Sequence, residues 1–254
     1  MTTRPYYAEK GLSAAFYDTV TAADTRLEGD LDAYARLAPA GGTILELGVG
    51  TGRLAFGLAE RGFSVVGVDI APAMLAQAAA KQAELSPALA ARVELRRGDM
   101  TALDLKRTFD LVICPYFTLA HMPRGMAWKN TFATASRHLK AGGLAAFHLP
   151  LVDIMRLPGP PESSQPVLDE PIPTGGRLLL FVRERSFRED VCRLDQVIEY
   201  VELDARGQAL RQSSERLTYY HADPAPLAAP AGLTPDREPV PIGGVGEIHV
   251  FIKA

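Results

Sequence analysis

Apolar and polar positions follow three different patterns along the chain. Residues 1–40 carry apolar side chains at helical spacing, so they predict a helical segment. Between residues 41 and 150, short apolar runs typical of buried strands alternate with amphipathic helices. Residues 151–222 contain a loop rich in Pro and Gly at 156–176 and then show the alternation of antiparallel strands, and residues 223–254 end in an apolar run.

These patterns predict an α/β fold with four regions. Residues 1–40 form an N-terminal helical segment, and residues 41–150 form a core in which a parallel sheet carries helices on both faces. Residues 151–222 are an antiparallel β insertion after the fifth strand, and residues 223–254 return to the core sheet. The predicted strands are 43–48, 63–69, 92–99, 110–115, 144–150, 177–187, 192–204, 215–222 and 247–254, and the predicted core helices are 53–61, 72–85 and 126–139. In such a sheet a ligand binds at the carboxyl ends of the strands, near the reversal of strand order.

Composition indicates an ordinary packed protein and excludes several partners. The 254 residues are 47% hydrophobic and 22% charged, and the formal net charge is −3 without a run of basic residues, so nucleic acid is not an expected partner. Cys114 and Cys192 are far apart and lack histidines at zinc-ligand spacing, so neither a disulfide nor a metal is expected. The first residues lack the apolar core of a signal peptide and no stretch approaches about 20 apolar residues, so we expect a cytoplasmic protein without a membrane partner.

The sharpest local signal is a glycine-rich turn between a strand and a helix. The segment ILELGVGTGRLAF places Gly48, Gly50 and Gly52 after an apolar strand. Glycine adopts backbone conformations closed to other residues and lets a ligand approach the backbone closely. Asp69 ends the next strand, where a carboxylate suits the hydroxyl groups of a ribose. The sequence therefore predicts a site for a nucleotide-like ligand, although the GxGxG spacing departs from the dinucleotide fingerprint.

Four motifs in this order resemble class I methyltransferases: ELGVGTG, Asp69, Gly98-Asp99-Met100 and the segment FDLV at 109–112. The resemblance covers about residues 40–150 and implies a Rossmann-like fold that binds S-adenosylmethionine. It implies that the glycines border the methionine part of the cofactor and that Asp69 takes the ribose diol. Asp99 and the Met100 backbone would hold adenine, with Ile70 packed on its ring. The other residues implied on the cofactor side are Glu46 and Pro115.

Some of these residues also have structural explanations. Asp99 follows a strand, where Asp is common as a helix N-cap. Glu46 can cap a helix or pair internally, and Arg53 can either reach the cofactor carboxylate or lie on a solvated helix face. The competing cofactor is NAD, but no Tyr-x-x-x-Lys signature follows the glycines. An NAD-dependent oxidoreductase is therefore the lesser alternative.

The segment ICPYFTLAHM after the fourth strand supplies the candidate acceptor site. Methyl transfer from a sulfonium needs an aligned and desolvated nucleophile rather than covalent help from the protein. Phe117 is expected to wall this pocket, and His121, whose ordinary pKa lies near neutrality, to orient the acceptor or accept its proton. The segment CPYF lacks the second Pro and the Asn or Asp of nucleobase methyltransferases, and no carboxylate cluster indicates a divalent metal.

The arrangement is similar to N-methyltransferases of antibiotic biosynthesis that act on small amines, such as amino-sugar and lincosamide-type enzymes. Aromatic residues before the core, a histidine after the fourth strand and extra antiparallel strands carry this similarity. It implies that residues 1–40 close over the cofactor as a lid. Tyr7 and Tyr17 would then face the reacting groups, with core packing of both rings as the alternative.

The expected activity is methyl transfer from S-adenosylmethionine to an amine nitrogen of a small molecule. Transfer to a hydroxyl oxygen is the nearest alternative, and a cofactor-binding but inactive partner protein is a further one. The apolar residues of the insertion can cover an active site or form a subunit interface, so we also expect a homo-oligomer.

Overall fold

The computed structural model of the chain describes residues 3–8, 11–159 and 165–254. Its strands are β1 (Arg4–Pro5), β2 (Thr43–Leu47), β3 (Ser64–Asp69), β4 (Val93–Arg97), β5 (Phe109–Cys114), β6 (Leu139–Pro150), β7 (Leu168–Pro171), β8 (Arg177–Arg188), β9 (Arg193–Leu203), β10 (Ala209–Tyr220), β11 (Leu233–Pro235), β12 (Val240–Ile242) and β13 (Gly246–Lys253). Its α-helices are α1 (Leu12–Ala15), α2 (Tyr17–Ala23), α3 (Asp30–Ala35), α4 (Arg53–Glu60), α5 (Pro72–Glu84), α6 (Pro87–Ala90), α7 (Met126–Arg137), α8 (Val152–Arg156) and α9 (Ala225–Ala228). Short 3-10 helices lie at Thr25–Leu27, Thr118–His121, Glu189–Val191 and Ala229–Ala231.

Two compact units divide the described residues. The smaller unit combines the residues up to Thr25 with Val152–Tyr220, and the larger unit contains Arg26–Leu151 and His221–Ala254. The division between these units falls after residue 25, whereas the predicted N-terminal region extends to residue 40, and the four predicted regions stay a prediction. The physical reason is that α3 belongs to the core of the larger unit, where Tyr34 is fully buried.

The larger unit is built on one central sheet with the strand order β11-β13-β6-β5-β2-β3-β4, and β12 pairs with β13. The adjacent strands β4, β3, β2, β5 and β6 pair in parallel, whereas β13 runs antiparallel to β6. This mixed sheet with its helices confirms the predicted α/β, Rossmann-like fold. The closing apolar run forms β13, which pairs with β6 from Ile252 opposite Leu144 to Gly246 opposite Pro150.

Both faces of the central sheet are covered by apolar side chains, because neighbouring residues of a strand point to opposite faces. Ile44 on β2 belongs to the cluster that includes Leu54 of α4, whereas the next residue, Leu45, belongs to the cluster of Trp128 and Phe132 on α7. All of these side chains are 2% exposed or less. Burying each one contributes about 1.5–3 kcal/mol, so the strands that carry the site are firmly held.

The smaller unit contains a five-stranded sheet in the order β1-β10-β9-β8-β7. β1 runs parallel to β10, and the remaining neighbours pair antiparallel. Leu12 of α1 joins Leu178, Leu180 and Tyr200 in the apolar cluster of this unit. Leu12 is thus part of the same small core as the strands that follow residue 150.

Several predicted elements differ from the observed ones. The predicted helical segment 1–40 consists of short helices and the strand β1, because its residues pack on two different cores. The last core strand begins at residue 139 rather than 144, and the predicted loop 156–176 contains β7. Residues 160–164 of that loop lie outside the described residues. No helix among the described residues has the length and apolar character needed to cross a membrane.

Candidate active site

Two loops of the larger unit meet at one edge of the central sheet: the glycine loop, residues 48–52, and the β5 loop, residues 115–121. β2 lies between β3 and β5, so the strand order reverses between β2 and β5. The glycine loop follows β2 and the β5 loop follows β5, on either side of this reversal. A Cβ atom on Gly48 would lie 2.3 Å from Cγ2 of Thr118, because the two loops approach each other closely. This edge is where α/β sheets bind ligands.

The glycine loop adopts backbone conformations that favour glycine. The φ angles are +82° at Gly48, +56° at Gly50 and +87° at Gly52. The Gly48 amide donates to the carbonyl oxygen of Val68 at 2.8 Å, which ties the loop to β3. A Cβ atom at Gly52 would lie 2.4 Å from the ring of Phe56. Backbone conformation and protein packing both require glycine here, before any ligand is considered.

Backbone amides hold the carboxylate of Asp69 at the end of β3. Oδ2 accepts from the Gly50 amide and Oδ1 accepts from the Ala71 amide, each at 2.8 Å. Burial raises the pKa of Asp69, and the hydrogen bonds from backbone amides oppose that rise. Each carboxylate oxygen has two lone pairs, so each can still accept a hydrogen bond from a ligand hydroxyl. The next residue, Ile70, leaves 63% of its surface exposed and offers an apolar contact.

Asp99 and Met100 follow β4, Pro115 follows β5, and the three residues differ in exposure. Asp99 is exposed, and its Oδ1 accepts from the backbone amide and the hydroxyl of Thr101, both at 2.8 Å. Met100 is half-buried against the core, and Pro115 is buried. The Thr101 contacts explain Asp99 as part of a local turn, so the roles of Asp99 and Met100 toward adenine stay predictions.

Glu46 is buried at the end of β2, with 2% exposure. The Ala55 amide, in the first turn of α4, hydrogen-bonds to its carboxyl group, whereas Oε2 has no partner among the described residues. Burial raises the pKa of Glu46 to about 8, although the charge of Arg53 opposes this rise. Glu46 is therefore largely protonated at neutral pH and supports the start of α4.

Replacing Glu46 by Gln is expected to remove a pH dependence of stability. The pKa of Glu46 is about 8 in the folded chain against an ordinary value of 4.5, so its stabilising contribution is complete below pH 4.5 and is lost as the pH rises through 8. The free energy of unfolding of the wild type, minus that of Glu46→Gln, should therefore fall between about pH 4.5 and pH 8. Urea unfolding at a series of pH values measures this difference, and a difference independent of pH would contradict it.

The sequence did not predict the ion pair between Arg53 and Asp30 that lies beside the glycine loop. Arg53, the first residue of α4, donates to both carboxylate oxygens of Asp30, with Nη1–Oδ1 at 3.0 Å and Nη2–Oδ2 at 2.5 Å. Asp30 is 1% exposed, whereas 31% of the Arg53 side chain is exposed. Two parallel hydrogen bonds fix the orientation of a guanidinium. No sequence spacing links the first residue of α3 to the first residue of α4, so only the structure brings them together.

The β5 loop holds an uncommon backbone conformation. Tyr116 and Phe117 have φ angles of +46° and +60°, which non-glycine residues adopt at a cost of about 1–3 kcal/mol each. The backbone amide and the hydroxyl of Thr118 both donate to the Pro115 carbonyl oxygen, at 3.0 and 2.6 Å. The Phe117 ring packs on His148 with 4.6 Å between ring centroids. These contacts keep Phe117 in one position at the sheet edge.

His148, near the carboxyl end of β6, is fully buried. Neither of its ring nitrogens has a hydrogen-bond partner among the described residues. Burial lowers the pKa of His148 to about 4, so the ring is neutral at neutral pH. A Cβ atom on Gly246 would lie 2.6 Å from Nε2 of this ring, which explains the glycine at the start of β13.

His121 is the last residue of the 3-10 turn in the β5 loop and is half-buried. Burial lowers its pKa to about 4. The imidazole is therefore neutral at neutral pH, and a neutral imidazole offers one hydrogen-bond acceptor nitrogen.

Tyr7 and Tyr17 lie in the smaller unit, and their ring centroids are 5.8 Å apart. Tyr6 packs on Tyr7 at 4.4 Å, and all three rings are half-buried. The structure therefore brings the two tyrosines together. Their role toward the reacting groups stays a prediction.

Comparison with known proteins shows which family the central segment of the chain resembles. Residues 44–143 match the family described as "Methyltransferase domain". This segment contains the glycine loop, Asp69, Asp99 and the β5 loop, and it is similar to that domain. Such a domain uses S-adenosylmethionine, so the expected cofactor is confirmed.

Particular relatives share parts of this chain. A protein of Geobacillus sp. (strain WCH70) with a provisional methyltransferase name is 33% identical over 142 residues, which are 56% of this chain and 54% of the relative. The mitochondrial ubiquinone biosynthesis O-methyltransferase of Schizosaccharomyces pombe is 40% identical over 74 residues, 29% of this chain and 27% of the relative. The matched region thus spans about half, or less, of the curated relatives' length.

Solved structures share the fold over nearly the whole chain. The CcbJ methyltransferase from Streptomyces caelestis has a TM-score of 0.72 and 23% identity, covering 98% of this chain and 99% of the other. The sugar N-methyltransferase KedS8 from Streptoalloteichus sp. has a TM-score of 0.67 and 21% identity, covering 93% of this chain and 92% of the other. At these identities the likeness concerns the fold.

The residues at the sheet edge fit S-adenosylmethionine. Asp69 offers two fixed carboxylate oxygens for a ribose diol, and the exposed Ile70 offers an apolar surface for an adenine ring. Arg53, oriented by Asp30 and partly exposed, offers a cation at the glycine loop for the carboxylate of the methionine part.

Proposed function

We propose that the chain transfers a methyl group from S-adenosylmethionine to an amine nitrogen of a small molecule. The observation that carries the proposal is the β5 loop, which combines a fixed aromatic ring, Phe117, with the neutral imidazole of His121 beside the glycine loop. The fold shared with a sugar N-methyltransferase supports it. Bound S-adenosylmethionine supplies a methyl group on a sulfonium, and transfer breaks its carbon–sulfur bond as the carbon–nitrogen bond forms.

His121 is better suited to orienting an amine than to deprotonating it. A proton moves from an ammonium, whose pKa is about 10 for an alkylamine, to an imidazole of pKa about 4 only against a large free-energy difference. A neutral imidazole can accept a hydrogen bond from the amine N–H and so direct the nitrogen lone pair. The surplus proton of the methylated amine then passes to water.

Phe117 contributes shape and desolvation. Its ring is 9% exposed and is held against His148, so the side that it presents to a ligand is fixed before binding. An amine nucleophile is more reactive when water is kept from its lone pair.

O-methylation is the second candidate, because the Schizosaccharomyces pombe relative is an O-methyltransferase. A hydroxyl acceptor must lose its proton to become a good nucleophile, which requires a base matched to the operating pH. A His121 of pKa about 4 is a weak base for that task. The electrostatics of the β5 loop therefore favour the amine.

The experiment that tests the proposal is an acceptor panel with isotopically labelled S-adenosylmethionine. Primary and secondary amines, including amino sugars, are compared with matched compounds that carry a hydroxyl in place of the amine. We expect label in the amines alone, with NMR placing the methyl group on nitrogen. Label on the hydroxyl compounds but on none of the amines would overturn the proposal of an amine acceptor.

The cytoplasmic location and the homo-oligomer stay predictions.

Replacing His121 by Asn is expected to lower kcat/KM for the amine by about 100-fold, since a positioned hydrogen-bonding group contributes at least that much. Because the neutral form of His121 persists above about pH 4, the ratio of wild-type to variant activity should be constant from pH 6 to pH 9. Steady-state kinetics across this range measure the ratio. If kcat/KM of the wild type rises with a midpoint near pH 6.5 and kcat/KM of His121→Asn does not, then His121 acts as a base.

A further inference from the structure

Asp30 is a buried carboxylate of the larger unit to which the proposed chemistry gives no part. It is the first residue of α3 and is 1% exposed. Its two oxygens accept from Nη1 and Nη2 of Arg53, at 3.0 and 2.5 Å. Taking two charges out of water costs free energy that their attraction does not always return, so a buried ion pair is weak evidence for a stabilising role. The pair therefore requires another explanation.

Holding α3 against α4 does not require a charge at position 30. A second ion pair joins the same two helices, because Nη2 of Arg61, directly after α4, donates to Oδ1 of Asp32 at 2.6 Å, and both of these side chains are exposed. The helices also pack closely through apolar atoms. A Cβ atom on Gly57 of α4 would lie 2.7 Å from Cδ2 of Leu31 on α3. These contacts hold the helices together without a buried carboxylate.

The specific effect of Asp30 is to fix the orientation of the Arg53 guanidinium. The helix that carries Asp30 is itself anchored, since Tyr34 of α3 is fully buried in the core of the larger unit. Two parallel hydrogen bonds to a fixed carboxylate define the plane of a guanidinium, which otherwise has the large rotamer freedom of a long side chain. Arg53 is nevertheless partly exposed. The pair thus presents an ordered cation at the start of α4.

This cation lies within reach of a ligand whose ribose is held by Asp69. Oδ2 of Asp69 accepts from the Gly50 amide at 2.8 Å, and Arg53 follows Gly50 by three residues. Their Cα atoms are therefore no more than about 11 Å apart. The amino-acid part of S-adenosylmethionine extends from the ribose as a short flexible chain and ends in a carboxylate. A guanidinium is the side-chain group whose geometry matches a carboxylate best.

We propose that Asp30 is a positioning residue that orients Arg53 to bind the carboxylate of S-adenosylmethionine. Asp30 acts through Arg53 and does not itself touch the cofactor. The proposal concerns recognition of the cofactor, so it does not depend on the nature of the methyl acceptor.

The test compares two ligands by isothermal titration calorimetry of the full chain. S-adenosylhomocysteine carries the amino-acid part, whereas methylthioadenosine has the same adenine, ribose and thioether but no carboxylate. The variants are Asp30→Asn, Arg53→Lys and the double variant Asp30→Asn/Arg53→Gln. Removal of Arg53 alone is avoided, because an unpaired buried carboxylate is strongly destabilising. Asp32→Asn is the matched control, since it makes the same change of charge on the same helix in the exposed ion pair.

The variants should weaken the binding of S-adenosylhomocysteine to different extents. We expect a loss of about fivefold in Asp30→Asn, because the Arg53 side chain must then be ordered on binding. Arg53→Lys should lose about tenfold, since an ammonium cannot form two parallel hydrogen bonds. The double variant should lose about 30-fold, because the carboxylate no longer meets a cation. Methylthioadenosine should bind every variant within twofold of the wild type, and Asp32→Asn should bind both ligands within twofold.

Three results would overturn the proposal. Equal weakening of both ligands in Asp30→Asn would show that Asp30 only supports the glycine loop. Unchanged or tighter binding of S-adenosylhomocysteine in Asp30→Asn would show that the carboxylate does not position Arg53 for this ligand. Wild-type affinity of the double variant would show that Arg53 does not bind the carboxylate.

The outcome remains decisive if Asp30→Asn does not fold. Arg53→Lys keeps a cation opposite Asp30, and unchanged binding of S-adenosylhomocysteine by this variant would then overturn the proposal. No methyl acceptor takes part in these titrations. If no amine is methylated, the proposed function fails, and calorimetry still decides whether Asp30 and Arg53 recognise the amino-acid part of the cofactor.

Discussion

Replacing Asp69 by Ala is expected to weaken the binding of S-adenosylhomocysteine by about 100-fold. A hydrogen bond to a charged group contributes about 1.5–3 kcal/mol, and the two ribose hydroxyls each lose one, taken here at the lower end of about 1.5 kcal/mol. A total of about 3 kcal/mol corresponds to a factor of about 100 in the dissociation constant. The variant also removes the acceptor for the Gly50 amide, so the glycine loop loses one of its restraints. Isothermal titration calorimetry measures the change directly.

Two further variants make the Asp69 result specific. Asp69→Asn keeps a carbonyl acceptor at the same position and should lose only about tenfold. Asp104→Ala makes the same change in net charge at an exposed carboxylate that pairs with Lys106, so it should bind within twofold of the wild type. Binding by Asp69→Ala within twofold of the wild type would contradict the ribose role.

Replacing Gly48 by Ala is expected to destabilise the larger unit by about 2–5 kcal/mol. A left-handed φ of +82° costs a non-glycine residue about 1–2 kcal/mol. The new Cβ would also lie 2.3 Å from Cγ2 of Thr118, and overpacking of this kind costs about 1–3 kcal/mol more. Urea unfolding measures the loss, and cofactor affinity should fall with it because the glycine loop must shift.

Matched variants separate the two causes at Gly48. Gly62 has a φ of +93° and no atom within 4 Å of its Cβ position, so Gly62→Ala should lose only the backbone cost of about 1–2 kcal/mol. Adding Thr118→Ser to Gly48→Ala removes Cγ2 but keeps the hydroxyl that bonds to Pro115, so part of the stability should return. Equal losses for Gly48→Ala and Gly62→Ala would show that the contact with Thr118 costs nothing.

The core fold was predictable because its signals are local. Strands such as Thr43–Leu47 and Ser64–Asp69 are short apolar runs bounded by glycine or polar residues, and the helices between them are amphipathic. The glycine loop and Asp69 were predictable for a similar reason, since a strand, a glycine turn and a strand-terminal acid follow one another within a short stretch. The hydrogen bond from the Gly50 amide to Asp69 is an addition from the structure.

Other features depend on contacts between distant residues. Nothing local assigns Asp30 to Arg53, or Ser13 to Glu215, and these pairs fix where the first residues belong. The predicted helical segment 1–40 was wrong in extent because Leu12 packs on the smaller core while Tyr34 packs on the larger one. The pKa of His121 was also beyond the sequence, since its lowering to about 4 comes from burial in the folded loop.

The binding of S-adenosylhomocysteine and NADH to the wild-type protein tests the central claim most directly. Calorimetric titration of the full chain should give one site for S-adenosylhomocysteine with micromolar or tighter affinity, and no heat of binding for NADH. Binding of NADH at that site, or failure of S-adenosylhomocysteine to bind at millimolar concentration, would contradict the account of the glycine loop and Asp69.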